Sequence, residues 1–386
     1  MSNNKENNAF IKHLHLKGFK SIVDLEVSLQ NGLNVVIGAN GSGKTNFVEF
    51  LEEILTNNAM NITKPYFFQF EFKSKKGTTN WHQKFEGELY IDYPKTFSVQ
   101  SKIDKPEEEG TLQKIANNRL NIFMNLSRDN FDIYGILYPC IIEYKIPNSL
   151  GMLDEQGRIL HDNDDFFSGV YSSIYYNVFD IDLGYNFRDN NIFEFKGTNQ
   201  DFINTFLPLS VSLIKNLQKF SPVKNLRINP GVVINTSKEK FSIDYITLEF
   251  YVNEEWLRWS ELSDGTKRIF YIISQVTNGK KLIIIEEPEN GVHPDQLYLL
   301  MDFIKEQAKE KQIIVTTHSP EVLNFIEKDE LDRIIVTRYD NEKKTQMHHL
   351  SEKTKKKAIW YMENKGMLSD CWVHTKSFEE YDASEA

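Results

Sequence analysis

Gly38, Gly41, Gly43, Lys44 and Thr45 fall at the spacing G-x-x-x-x-G-K-[ST] within "GANGSGKT". A loop of this kind can wrap a polyphosphate. Successive backbone N–H groups turn inward, the glycines leave room for the anion, the lysine neutralises the β and γ phosphates, and the threonine hydroxyl ligates Mg²⁺. Asn40 and Ser42 fill intervening loop positions and join Gly38, Gly41, Gly43, Lys44 and Thr45 in the expected nucleotide-binding set. ATP with Mg²⁺ is the ligand implied.

Hydrolysis of a triphosphate also needs carboxylates facing the γ phosphate. The run "LIIIEE" ends in Glu286, placed to hold Mg²⁺, and Glu287, placed to accept a proton from the attacking water. A later apolar run, "IIVTTHS", delivers His318 to its end, where the imidazole would meet the same phosphate edge. His293, in "ENGVHP", reads instead as fixing a turn. One further stretch, "SELSDGTKR" at 260–268, is a hydroxyl-bearing, glycine-centred turn with no evident work beside a phosphate loop more than two hundred residues upstream.

These residues need rigid elements behind them. Residues 11–29 alternate as two strands joined around Gly18, and the buried strand Leu33–Ile37 runs through the phosphate loop into a helix with Phe47, Phe50, Leu51, Ile54 and Leu55 at helical spacing. Residues 67–103 read as antiparallel strands with turns at Gly77 and Gly87. Between 104 and 235 lies an expected insertion, in which "TLQKIANNRLNIFMNL" and "QDFINTFLPLSVSLIKNLQKF" are helix-like. The aromatics in its middle, such as Phe166, Phe167, Tyr171 and Tyr185, read as internal packing, with a partner-binding face as the alternative.

"FSIDYITLEFYV" reads as one alternating strand. Helices over 267–276 and 295–310 then alternate with the strands "KLIIIEEPE", "QIIVTTHS" and "RIIVTRY", with a short helix after Pro320 and another within "KKKAIWYMENKGML". Strands alternating with helices predict an α/β fold with a mostly parallel, doubly covered sheet. The expected division is an N-terminal lobe 1–103, the insertion 104–235, a C-terminal lobe 236–350 and a polar tail 351–386.

With 386 residues, 40% of them hydrophobic and 26% charged, the chain can build a large core. A net charge of −10 disfavours a broadly basic DNA-binding surface, and the lysine clusters 73–76 and 353–357 read as solvated faces. Cys140 and Cys371 suggest neither a disulfide framework nor a zinc site. No apolar run is long enough to cross a bilayer and the N-terminal residues lack the pattern of a signal peptide, so no membrane partner and a cytoplasmic location are expected.

Taken in order, the phosphate loop, "SELSDGTKR", "IIIEEPENGVHP" and "VTTHSPEVL" resemble the ABC-type ATPases of the RecF, SMC and OLD group, over residues 11–56 and 240–337. The resemblance implies a P-loop NTPase head with an antiparallel β lobe, acting as an ATP-sandwiched dimer in which one subunit's signature turn completes the other's site. Ser263 and Gly265 would then donate to the γ phosphate held by the partner's phosphate loop. The usual turn is L-S-G-G-Q, whereas this chain has Leu262, Ser263, Asp264, Gly265 and Thr266. Asp264 near a polyphosphate is unfavourable unless it points away or pairs with Lys267 or Arg268, and slow turnover is expected.

Glu286 stands where the group more often has Asp; the glutamine loop that in the group links the ATP site to the antiparallel lobe is not clearly readable, and Gln69 in "FFQFEF" is the best candidate for its metal-side glutamine. "PENGVHP" looks most like stand-alone ATPases of bacterial anti-phage modules, including those of Septu and PARIS systems. That likeness implies a separately encoded effector such as a nuclease. An OLD-type protein would carry a TOPRIM nuclease after the ATPase, and no nuclease is expected in this chain. A DNA-repair or chromosome-maintenance ATPase that clamps DNA in its closed dimer stays open as the alternative. The absence of sustained heptads sets aside a long SMC-type coiled coil.

Overall fold

The computed structural model describes residues 10–56, 66–76, 79–89, 123–126, 140–145, 149–153, 197–236, 240–277, 282–340, 342 and 344–378. They fall into two units, one formed by 1–127, 280–289 and 304–386, the other by 128–279 and 290–303.

In the first unit, β1 (Phe10–Phe19), β2 (Ile22–Ser28), β4 (Tyr66–Lys76) and β5 (Thr79–Leu89) form an antiparallel sheet of order β2-β1-β4-β5. A second sheet contains β3 (Leu33–Ile37), β6 (Phe123–Leu126), β14 (Leu282–Glu286), β15 (Gln312–Thr317), β16 (Ile334–Tyr339) and β17 (Thr345–His349), in the order β17-β16-β3-β15-β14-β6. All its pairings are parallel except that of β16 with β17. The apolar run Leu282–Ile285 of β14 follows from this arrangement, because central parallel strands are covered on both faces, and the one polar residue of β3, Asn34, is satisfied by the Gln30 backbone. Every residue of β3 and β15 is buried.

The two sheets of this unit share a core. Leu14, Leu16 and Phe19 of β1 join Phe47 and Phe50 of α1 (Lys44–Thr56) with Ile284, Ile314 and Ile335 of the central strands. Phe19 meets Phe50 edge-on at 5.7 Å. Buried Gln312 fastens β15 to β1 by accepting the Ile11 N–H at 2.8 Å and donating to Ile11 O at 2.9 Å. A buried amide satisfied in this way fixes register where apolar packing alone would allow sliding.

The second unit contains β7 (Cys140–Lys145), β8 (Ser149–Leu153), α2 (Asn199–Phe206), α3 (Val211–Phe220), β9 (Asn225–Ile228), β10 (Val233–Thr236), β11 (Lys240–Ile246), β12 (Leu248–Val252), β13 (Glu255–Arg258) and α4 (Asp264–Thr277). Its sheets have the orders β10-β11-β7-β8 and β13-β12-β9. Phe250, Trp259 and Phe270 pack with ring centroids 4.9, 5.7 and 5.8 Å apart, anchoring α4 against β12. Such aromatic contacts bury large areas with defined geometry. The helix α5 (Pro294–Gln307) follows β14, and α6 (Glu352–Asn364) and α7 (Leu368–His374) complete the first unit.

Several expectations are corrected. "FMNL" is not the end of a helix but the edge strand β6, paired in parallel with β14 from Phe123↔Leu282 to Leu126↔Ile285. Its helical spacing yields to the backbone partners that β14 offers. "FSIDYITLEFYV" is two strands in two sheets, β11 ending at Ile246 and β12 starting at Leu248, while Tyr245 at φ +59 marks a register shift within β11. The β1–β2 reversal lies at Lys20–Ser21 rather than Gly18, and Gly87 lies inside β5, opposite Phe68. The helical run at 200–220 splits into α2 and α3, with Ser210 capping the second by accepting Leu213 N–H. The turn at Gly77, residues 90–103, the helix-like segment before 123 and the aromatics Phe166 to Tyr185 lie outside the described residues.

Candidate functional site

The topology brings three strand ends to one edge. β3, β15 and β14 are consecutive neighbours running the same way, so the phosphate loop, His318 and Glu286–Glu287 all emerge at their carboxyl ends. In open parallel sheets this edge is where ligands bind. Gly41 and Gly43 take φ +79 and +99, the left-handed region that favours glycine. A Cβ on Gly43 would drive into the Thr345 hydroxyl, and one on Gly38 into the Thr337 carbonyl.

Lys44 is only 5% exposed, and its ammonium donates to Gly38 O at 2.8 Å and Ala39 O at 3.1 Å. Burial pushes its pKa down, and the Glu287 and Glu289 carboxylates pull it partly back. The cation is therefore coupled electrostatically to the carboxylates of the β14 end. Asn40 and Thr45 are exposed, and Ser42 is buried with its hydroxyl lacking a hydrogen-bond partner. Left-handed glycines, a buried cation, an unsatisfied hydroxyl and the start of α1 fit a polyphosphate.

Glu286 ends β14 half-buried, and Glu287 follows at φ +45 with its N–H on Thr316 O at 2.8 Å. A left-handed glutamate is strained, and its surroundings must hold it there. His318 Nδ1 lies 3.5 Å from Glu287 Oε1 and 3.4 Å from Glu289 Oε1. Sequence reasoning missed Glu289 as a site residue. Its Oε1 accepts the Thr317 hydroxyl at 2.5 Å and the backbone N–H groups of His318 and Ser319 at 3.1 and 3.3 Å. The only signal was a third acid in "EEPEN", facing a strand that ends in hydroxyl residues.

Thr345 was missed as well. This buried residue of β17 packs on Gly43, and its hydroxyl meets that of Ser21 at 2.6 Å, which in turn accepts Asn46 Nδ2 at 2.6 Å. The phosphate loop is thus braced from β17 and from the β1–β2 reversal. Gln69 lies in the interior of β4, opposite His15 and Glu86, in a different sheet from the one carrying Lys44, Glu286 and His318.

The signature turn belongs to the second unit. Ser263 is exposed at the start of α4, and its hydroxyl accepts Thr266 N–H at 3.2 Å. Gly265 is buried; a Cβ there would come within 2.5 Å of Gly291 O. Asp264 points outward, 96% exposed, and pairs with Lys267 at 3.3 Å, while Arg268 is buried. His293 accepts Asp295 N–H at 3.3 Å and its carbonyl receives Gln296 and Leu297 N–H, so it caps α5.

Among the described residues no cluster of three or more His, Cys, Asp or Glu could hold a metal ion. A magnesium ion here would have to be held largely by nucleotide phosphates, with Thr45 and Glu286 adding one hydroxyl and one carboxylate. No helix among the described residues is long and apolar enough to cross a membrane.

Two family models match the chain. "AAA ATPase domain" matches residues 10–138, and "AAA domain, putative AbiEii toxin, Type IV TA system" matches residues 145–324. The Septu protein PtuA of Bacillus thuringiensis is 23% identical over 348 residues, covering 83% of this chain and 74% of the relative. The DNA replication and repair protein RecF of Desulfitobacterium hafniense is 42% identical over 52 residues, 14% of each chain. Among solved structures, an Smc head bound to the C-winged helix domain of ScpA superposes with TM-score 0.52 at 17% identity, covering 90% of this chain and 99% of that one. The Pyrococcus furiosus Smc head with an extended coiled coil gives 0.53 at 15% identity, covering 92% and 100%. The Smc likenesses establish the fold.

Proposed function

Because this chain is an ABC-type ATPase of the RecF, SMC and OLD group, similar to the Septu protein PtuA, we propose that it is an ATP-driven switch in bacterial anti-phage defence. Two copies sandwich ATP, and closure controls a separately encoded effector, a nuclease or toxin. The observation that carries this reading is the convergence at one sheet edge of buried Lys44 with Glu287, Glu289 and His318.

Each residue has a separate task in this reading. Lys44 exchanges the Gly38 and Ala39 carbonyls for phosphate oxygens, which repays the burial of its charge. Thr45 and Glu286 would hold Mg²⁺, whose charge would neutralise the phosphates. Glu287 takes the proton from the attacking water, and His318 holds that water or the γ phosphate in line. Ser263, exposed just before α4, and the backbone N–H of Gly265 in its first turn donate to the γ phosphate of the opposite copy, and the dipole of α4 adds to that attraction. Gln69 would approach the metal only as a link from the antiparallel sheet.

The test measures mass and ATP turnover of wild type and Glu287→Gln, with and without ATP and Mg²⁺. The expected result is an ATP-dependent dimer that the variant traps, with turnover lowered about 100-fold or more. A protein that stays monomeric and turns over normally without Glu287 refutes the sandwich.

A repair ATPase that binds DNA in the closed dimer is the second reading, favoured by the RecF match of 52 residues. It predicts ATP-dependent DNA affinity that falls steeply with salt. The net charge of −10 favours protein partners instead.

A further inference from the structure

Two surface helices carry matching stripes of opposite charge. On α5, Asp295, Tyr298, Leu299, Asp302 and Glu306 follow one another at i, i+3, i+4, i+7 and i+11, and so share one face. All five are exposed, Tyr298 and Leu299 to 40% each, while Leu297, Leu300 and Ile304 bury the opposite side. On α6, Lys353, Lys356, Lys357, Trp360 and Asn364 repeat the same spacing. Lys356, Trp360 and Asn364 are exposed and Lys353 and Lys357 half-buried, while Thr354 and Ala358 are buried.

Each stripe holds charge of one sign. Lys353 repels Lys357, and Asp302 repels Glu306, across one helical turn, an arrangement that weakens a helix standing alone. Opposite charges at the margins are engaged elsewhere: Lys305 pairs with Glu327 at 2.6 Å, Glu363 with Lys328 at 3.1 Å and Glu352 with Lys355 at 2.6 Å. A solvated face gains nothing from this segregation, nor from an indole 54% exposed among lysines. In a chain of net charge −10 the basic stripe is the exception, and a second copy supplies the acidic surface that complements it.

Antiparallel docking matches the two stripes position by position. Lys353 then meets Glu306, Lys356 and Lys357 flank Asp302, and Trp360 covers Tyr298 and Leu299. Each stripe is about 17 Å long, so the contact is small, weak and screened by salt. Because the two faces differ, a copy that gives its α6 still offers its α5, and the contact repeats head to tail.

We propose that α6 of one copy docks antiparallel on α5 of a second copy, through a contact that needs no nucleotide and is separate from the ATP sandwich. Sedimentation velocity of the full chain without nucleotide tests it. The measurement is made on wild type and on Lys44→Ala, which removes the phosphate-loop cation that an ATP sandwich requires, so its outcome is independent of the ATPase reading.

Across roughly 10–300 μM protein at about 50 mM salt the weight-average mass should rise in both, and it should fall back toward the monomer at about 500 mM salt. The double variants Lys356→Glu/Lys357→Glu and Asp302→Lys/Glu306→Lys should each weaken association about 10-fold or more, with Tm little changed because these side chains lie at the surface. Mixed one to one, the two variants should associate again, since each offers the charge that the other has lost. Trp360→Ala should weaken association about 10-fold. A chain that stays monomeric throughout, association indifferent to salt and to both charge reversals, or a mixture that does not recover overturns the proposal. So does a monomer whose α6 instead binds a single-stranded oligonucleotide, read as tryptophan quenching that Trp360→Phe abolishes.

Discussion

Glu289 Oε1 lies 3.4 Å from His318 Nδ1 and also accepts the His318 backbone N–H at 3.1 Å, so one carboxylate fixes both the ring and the peptide that carries it. Its side chain is 8% exposed. Glu289→Ala should leave the Thr317 hydroxyl and two N–H groups without their acceptor, costing about 1–3 kcal/mol of stability and lowering ATP turnover about 10-fold or more. Glu289→Gln keeps an acceptor and should lose less of both. Thermal denaturation and steady-state turnover measure the two effects, and normal turnover in the alanine variant would show that His318 is positioned by something else.

The brace on the phosphate loop yields a second expectation. Thr345→Val keeps the shape that packs on Gly43 but removes the hydroxyl bonded to Ser21. Stability should fall by about 1 kcal/mol, and the KM for ATP should rise with kcat little changed. Gly43→Ala, by contrast, places a methyl against Thr345 at a left-handed position and should abolish ATP binding. Equal effects of the two substitutions on ATP affinity would argue against shape as the deciding factor.

Lys44 links function to pH. Its folded pKa lies below the ordinary 10.5, chiefly through burial, so between those two values the unfolded chain binds more protons than the folded one. Stability contributed by this group therefore rises with pH through that window and is complete above 10.5. Lys44→Met removes the buried charge, and should raise Tm at pH 7 while abolishing ATP binding. Melting curves of both proteins from pH 7 to 10 should converge as pH rises; parallel curves would contradict the burial penalty.

Asp264 is almost fully exposed where it pairs with half-buried Lys267, so Asp264→Asn should change stability by less than about 0.5 kcal/mol. If the turn meets a partner's γ phosphate, the same substitution removes a repelling charge and should strengthen ATP-driven dimerisation several-fold. Sedimentation with a non-hydrolysable analogue reads this directly. Unchanged dimerisation would place Asp264 away from the nucleotide in the closed state.

Much of the fold was legible because its signals are local. The spacing of Gly38, Gly41, Gly43, Lys44 and Thr45 announces a loop, and "LIIIEE" announces a doubly covered strand ending in charge. Strand β6 was illegible, because "FMNL" becomes a strand only by pairing with β14. The break at Thr247 was equally hidden, since an alternating run gives no sign of where the chain will change sheets.

The sequence by itself determined which side chains carry charge and hydroxyls at the ends of apolar strands: Lys44, Glu286, Glu287 and His318. Tertiary structure alone decided what holds them. Glu289 under His318, Thr345 against Gly43, and Trp372 beside the phosphate loop are 29, 302 and about 330 residues from their partners, joined only by strand order and packing. Motifs are short because backbone geometry within a turn is local; their supports are distant because a parallel sheet makes neighbours of strands that the chain visits far apart.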